Sequence, residues 1–351
     1  MVEKRYFTAQ NLSDWVEKGQ YPGLTENIIS KVRAEALIKH PDVNPDLVLL
    51  SVIYVDEKPA AFTAYFPESF IRPQLVGYGW GTTQYTYPEF RGRKLGFENI
   101  KMMKESCGYK YLALDSSEAS TYIDQKLGSK IIYYDRYMFV FNYEIPIHGI
   151  RNILQHLKWK LVMLLKKRKR NVFVRMIRQQ EYQLEYVNHV DEETYRFICE
   201  MSTGDYFLRS RETLNWILKY KMKTRTPLIN RVVEHPFGSA ASDYSTFAVK
   251  VHKKEELVGF YMLRKRNKEL SLLYFYSRGG FETLVASSVA EHVLSLGINV
   301  FKTMNQKLRT LLSEYGVAID ERVEKVSFTV PVDFAVDKEL KLQGGDGDMF
   351  V

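Results

Sequence analysis

Residues 88–96 read Pro-Glu-Phe-Arg-Gly-Arg-Lys-Leu-Gly, so three cations (Arg91, Arg93, Lys94) and two glycines (Gly92, Gly96) sit in one short loop. The loop runs straight into an amphipathic stretch with Phe97, Ile100 and Met103 at helical spacing, and Gly108 stops it. A helix entered this way points its first backbone N–H groups at solvent and carries partial positive charge there, and glycine lets a ligand oxygen approach the backbone closely. That is chemistry for a pyrophosphate. The same letters also suit a plain surface turn before a helix, so the flanking elements have to decide.

Upstream, Lys4 to Thr8 reads as a short strand and Thr25 to Lys39 as a helix ended by His40-Pro41, because the residue before proline avoids the helical region. The period then changes to two. Leu47–Val55 and Ala60–Phe66 flank the turn Asp56-Glu57-Lys58-Pro59, and Val76–Tyr87 is aromatic and alternating, which makes a three-strand antiparallel meander. Downstream of the loop helix come a strand to Leu114, a helix from Ser117 to Lys126 with Leu127-Gly128 as its cap, and a closing strand Lys130–Tyr143.

From Tyr182 onward the order repeats in pattern rather than in letters. A strand to Val187 leads to helices within 191–222. A hairpin (Thr246–Val251, Leu257–Arg264), a strand Leu270–Tyr276 and a helix Phe281–Leu296 follow, then a strand Asn299–Lys302, a helix Gln306–Tyr315 and a last strand Glu324–Phe328. Where the first half has its basic loop, the second has Tyr276-Ser277-Arg278-Gly279-Gly280-Phe281, with different spacing. The expected architecture is α/β (α+β): two similar domains over 1–145 and 181–338, a basic helical linker over 146–180 and a flexible tail over 339–351.

The meander, the loop Arg91-Gly92-Arg93-Lys94-Leu95-Gly96 with its helix, and the Ser117-Glu118-Ala119-Ser120 helix ending at Leu127-Gly128 together resemble the GNAT superfamily of acyl-CoA-dependent N-acyltransferases. The second half resembles a degenerate copy, so each domain is expected to be a mixed, mostly antiparallel sheet flanked by helices. The resemblance implies acetyl-CoA, or another acyl-CoA, as co-substrate, with no metal. In the family the loop has the form Arg/Gln-x-x-Gly-x-Gly/Ala and holds the CoA pyrophosphate. Arg91, Leu95 and Gly96 match, Gly92 and Arg93 fit a common variant, and Lys94 stands where the family has its central glycine. A lysine offers its N–H there if its φ stays negative. The resemblance also implies that Tyr85, Thr86 and Tyr87 lie at a bulge where the third strand leaves its neighbour and presents backbone groups to the acyl chain. Ser117 and Ser120 fall on the family's Asn and Ala positions in the following helix.

The proton-transfer groups are less well matched. The family's leaving-group tyrosine corresponds to Asp124, whose carboxylate donates no proton unless its pKa is strongly raised, or is replaced from the preceding turn by Tyr122. As a base, Glu68, Asp115 and Glu89 are the nearest acids to a third strand that has none. Asp124 and Glu89 also read as solvated surface residues. Tyr206, Phe207, Trp216 and Tyr274 read as core or as the lining of an acceptor cleft between the halves. The expected function is acetyl transfer to a primary amine, a small-molecule amine or amino-sugar, by direct attack in a ternary complex. The alternatives are a non-catalytic acyl-CoA-binding or partner-binding module and, further off, aminoacyl transfer.

The net charge of +8 is carried by one segment. Residues 146–180 hold ten Lys or Arg and no Asp or Glu, while the rest of the chain has 40 basic against 42 acidic residues. Ile150, Ile153, Leu154, Leu157, Leu161, Leu164 and Leu165 are spaced there as one helical face, so 149–178 reads as a cationic amphipathic helix. It suits packing between the domains or peripheral contact with an anionic membrane. No motif for nucleic acid accompanies it. Two distant cysteines, Cys107 and Cys199, give no disulfide framework or zinc pattern and fit a reducing compartment. With no signal-like or spanning apolar run, the expected location is cytoplasmic, with peripheral contact at the inner face of the membrane.

Overall fold

The computed structural model describes residues 1–68, 70, 76–142, 150–220, 224–225, 240–241, 243–335 and 341–347. The first half contributes β1 (Val2–Thr8), α1 (Ala9–Lys18), α2 (Lys31–Ile38), β2 (Val48–Val55), β3 (Lys58–Pro67), β4 (Gly79–Thr86), α3 (Leu95–Ser106), β5 (Tyr111–Leu114), α4 (Glu118–Lys126) and β6 (Lys130–Val140). Helix α5 (Ile150–Arg178) leads into β7 (Gln183–Val187), α6 (Glu192–Met201), α7 (Arg211–Lys219) and the two-residue strands β8 (Thr224–Arg225) and β9 (Ala240–Ala241). The remainder is β10 (Tyr244–Lys253), β11 (Glu256–Arg266), β12 (Glu269–Ser277), α8 (Glu282–Ser295), β13 (Val300–Thr303), α9 (Gln306–Glu314) and β14 (Asp320–Val330). The expected residues 143–149, 221–222, 339–340 and 348–351 lie outside the described ones.

Local chemistry explains most of these elements. Asp56 and Glu57, both at positive φ, form the two-residue turn that matches the twist of β2 and β3. Side chains of Thr8, Ser30, Ser117, Asp191, Ser210 and Asn305 accept a bond from the third residue of α1, α2, α4, α6, α7 and α9. Helices α3 and α8, which follow the third meander strand of each half, are preceded by Lys94 and Phe281, whose side chains give no such cap.

Twelve strands form one sheet in the order β1-β2-β3-β4-β5-β14-β6-β13-β12-β11-β10-β7. Each half donates its last strand to the other: β14 pairs with β5, β6 pairs with β13, and β6 and β14 run antiparallel from Lys130↔Val330 to Val140↔Asp320. The sheet is therefore continuous through its centre, and a cut near residue 145 would leave β6 in space with the second half.

The main apolar cluster also crosses between halves. It joins Leu12, Trp15, Leu37 and Trp80 to Phe207, Trp216, Tyr274 and Phe328. The Trp216 indole N–H donates to the Ala36 carbonyl at 2.8 Å, and the His40 and Trp216 rings lie 4.6 Å apart. Tyr206, Phe207, Trp216 and Tyr274 are all buried, so these four aromatics are core and do not line an open cleft. The C-terminal stretch departs from expectation too. Residues 341–347 are packed rather than free: Asp346 is buried, and Tyr206 N–H donates to the Lys341 carbonyl at 2.8 Å.

Candidate functional site

The site begins with a strand that leaves its neighbour. Parallel pairing of β4 with β5 is confined to Gly79↔Tyr111 and Trp80↔Leu112, after which the strands diverge. On its other edge β4 keeps β3, but the register shifts: Ala64 faces Thr82 and Phe62 faces Tyr85, so Thr83 and Gln84 together oppose Thr63. The bulge therefore lies at Thr83-Gln84, upstream of the expected Tyr85–Tyr87. Thr83 sits at φ 54°, a conformation that costs a β-branched residue about 1–3 kcal/mol, and its Oγ1 accepts from buried Arg33 at 3.1 Å. The Gln84 amide donates to the Tyr111 hydroxyl across the opening.

The gap is a groove of about 940 Å³, walled by the end of β4, the loop, α3 and α4. Tyr85, Thr86, Arg91, Gly92, Lys94, Leu95, Gly96, Ser117, Ser120 and Tyr122 all line it. Tyr87 and Arg93 do not: the Tyr87 hydroxyl donates to the Asn27 carbonyl at 3.0 Å, and the Arg93 guanidinium lies over the Phe90 ring. Gly92 and Lys94 both have positive φ, 79° and 60°. Lys94 thus takes the left-handed conformation of the glycine it replaces, at odds with the negative φ expected of a lysine. A Cβ on Gly96 would lie 2.7 Å from Thr86 Oγ1, so glycine there lets the start of α3 approach the end of β4. Arg91 braces the same corner, donating from Nε to the Thr86 carbonyl at 3.2 Å. The result is an uncapped helix N-terminus, flanked by Lys94 and Arg91, at one end of an elongated groove. These are features that fit the pyrophosphate and arm of an acyl-CoA.

The nominated acids separate. Tyr122 is exposed on α4 and lines the groove. Asp124, on the opposite face of that helix, is fully buried and pairs with Lys104 of α3 at 2.7 Å. It is neither a solvated surface residue nor aimed at the groove: the ion pair clamps the two helical walls together. Burial pushes its carboxyl up, against the pull of Lys104. Glu68 lies outside the groove, buried between the halves 2.6 Å from Arg209. Burial pushes it up to about 7, with Arg209 pulling the other way. Its carboxylate, His40 and Asp42 have donor atoms within 4.8 Å of one another, and Arg209 occupies one side of that cluster. Glu89 is exposed, while Asp115 takes a bond from Arg136; neither lines the groove.

Sequence reasoning passed over Gln84, Lys126 and Asn99, which line the groove as well. Asn99 is buried on α3, its side-chain oxygen accepting from Ser51 at 3.3 Å and its amide nitrogen without a partner. The signal was a polar residue on the face that also holds Leu95, Met102 and Met103.

The second half repeats the opening. Strand β12 pairs in parallel with β13 over Glu269–Ser271 only, and its register against β11 shifts at Met262/Leu263. Here the chain's own C-terminal segment fills the gap. Gly345 N–H donates to the Leu273 carbonyl at 2.7 Å, and the Gln343 amide donates to the Phe275 carbonyl at 3.2 Å and to Asp205 at 3.0 Å. A Cβ on Gly345 would lie 2.5 Å from the Tyr274 ring. Arg209 ties this strap to the first half, donating to the Gly345 carbonyl at 3.3 Å while pairing with Glu68.

No family model matches the sequence, and no curated protein matches it. Solved structures do. A Pyrococcus horikoshii protein assigned to the acetyltransferases superposes with a TM-score of 0.50 at 12% identity, over 97% of this chain and 91% of that one. A tandem GNAT protein from the clavulanic acid biosynthesis pathway gives 0.49 at 11% identity, covering 96% and 100%. A GCN5-related N-acetyltransferase from Kribbella flavida gives 0.49 at 11%, covering 93% and 70%. The chain has the GNAT fold, built twice in a mixed, mostly antiparallel sheet.

Proposed function

We propose that the protein is an acyl-CoA-dependent N-acyltransferase whose donor site is the first-half groove. The observation that carries this reading is the gap between β4 and β5, left open and ended by the uncapped, cation-flanked start of α3. The pyrophosphate would rest on the N–H groups of Gly92–Gly96 with Arg91 and Lys94 beside it, and the pantetheine arm would follow the edge of β4 that has left β5, toward the bulge. Acetyl-CoA is the expected donor and a primary amine, free or on an amino-sugar, the expected acceptor. The neutral amine nitrogen attacks the thioester carbonyl carbon, the C–S bond breaks, the nitrogen gives up its extra proton to water, and the departing thiolate takes one up. Tyr122 is the nominated acid that faces the groove; Asp124 and Glu68 are spent on ion pairs.

The test is calorimetric titration of acetyl-CoA into the wild type and Gly96→Val, with turnover by Tyr122→Phe measured against an amine panel. Wild-type binding that weakens at least about tenfold in Gly96→Val supports the reading, since branched methyls would fill the corner against Thr86. No binding by the wild type would sink it. Binding with no turnover of any amine would favour a non-catalytic acyl-CoA module.

A further inference from the structure

Helix α5 is held to the second half by one face. Phe173 and Ile177 are buried there, Phe173 stacking on Tyr315 at 4.1 Å. Lys166 donates to the Gly316 carbonyl at 2.7 Å, Arg170 to the carbonyls of Val317 and Phe141 at 2.9 and 2.8 Å, and Arg178 to Glu291 at 2.7 Å. These contacts fix the rotation of the helix. They leave Leu157, Leu161, Leu164 and Leu165 pointing away from the protein, 56%, 59%, 65% and 59% exposed, with Val172 and Met176 extending the stripe. At 100° per residue, Lys158 and Lys169 border the stripe on one side and Lys160 and Lys167 on the other, while Arg168 and Arg175 fall within it beyond Leu165, all six exposed.

A stripe of four exposed leucines is not a solvated face, and turning it inward would break every contact just named. Its cover must accept apolar side chains along Leu157–Leu165 and cations at both margins and beyond Leu165. A second copy of α5 would set ten positive charges against ten with no acid within residues 146–180 to answer them, and nucleic acid would have no use for the leucines. An anionic bilayer surface answers both: acyl chains take the leucines while the lysine stems run up to the headgroups. Among the described residues no helix is long and apolar enough to cross a membrane, so contact through α5 would lie in the plane of the surface. We propose that helix α5 docks the protein on an anionic lipid surface through the Leu157–Leu165 stripe and its bordering lysines. This rests on α5 alone and is independent of the donor-site reading.

The test is co-sedimentation of the full chain with unilamellar vesicles of phosphatidylcholine alone or with 30 mol% phosphatidylglycerol (about a third anionic lipid, enough to set up a negative surface). The chain should pellet with the anionic vesicles and weaken as salt rises. Leu161→Ser with Leu164→Ser and Leu165→Ser should lower the partition coefficient at least about tenfold with an unchanged melting temperature, since the positions are exposed. Lys160→Glu with Lys167→Glu and Lys169→Glu should do the same. Absence of binding to anionic vesicles would overturn the proposal. So would leucine variants that bind like the wild type, or a dimer in solution that those variants dissociate.

Discussion

The first half leaves β4 after Trp80 and keeps a groove of about 940 Å³, while the second leaves β12 after Ser271 and fills the gap with its own Gln343–Gly347. Both gaps arise alike, from a strand pair that separates after two or three residues beside a register shift, and both are followed by a helix without a side-chain cap. The difference is in what satisfies the exposed strand edge. In the second half the strap's N–H and the Gln343 amide take the β12 carbonyls. A repeat can thus keep the geometry of a binding groove while its edge is consumed by the fold, and a ligand is expected only in the groove that no strap fills.

The comparison is broken most severely at Arg209, which joins the strap to the first half. Arg209→Met should cost about 3–5 kcal/mol in urea unfolding at about pH 8, above the raised Glu68 value, because the ionised Glu68 carboxylate would stay buried without its countercharge. A cost under about 1 kcal/mol would mean that the shared strands and apolar packing hold the halves with little help from this charge cluster. The same cluster predicts a pH effect. Burial raises the Glu68 carboxyl from 4.5 to about 7, so the folded state holds a proton the unfolded state has released, and this group's stabilising contribution is lost as pH rises through that window. Glu68→Gln should show a flatter stability profile between those values; parallel profiles would remove Glu68 as the cause.

The strap itself is tested by Gly345→Val, whose side chain would collide with the Tyr274 ring at a cost of about 1–3 kcal/mol. If the second gap is a closed copy of the first, this variant should destabilise the protein without weakening acetyl-CoA binding; weakened binding would show the strap serving the donor site. The smallest expected effect is at Lys94. Lys94→Gly should relieve a left-handed lysine and stabilise the protein by about 0.5–1 kcal/mol, and bring the backbone closer to the pyrophosphate. Loss of acetyl-CoA affinity in that variant would show that the ammonium matters more than the approach.

Strand and helix order was legible because it rests on local rules: apolar, β-branched runs in β2 and β3, glycine stops such as Gly108, Gly128 and Gly316, and the Asp56-Glu57 turn. The loop Arg91–Gly96 was legible too, since a cationic, glycine-bearing turn before a helix is a local feature. The bulge was not, for Thr83 is a β-branched residue in a conformation its letter argues against, held by Arg33 from α2. Nor were the fates of Asp124 and Glu68. Each looks like an available carboxylate until its partner arrives from another element, Lys104 from α3 and Arg209 from the second half.

By itself the sequence determined two copies of one α/β pattern, a single phosphate-suited loop and a single basic helix, because period, capping and charge act over a few residues. Only the tertiary structure decided that β6 and β14 are exchanged, that the second gap is filled by a strap carrying Gly344 and Gly345, and that the leucines of α5 face outward. Those outcomes depend on which distant surfaces fit and which buried charges meet, and no short stretch of sequence records its partner.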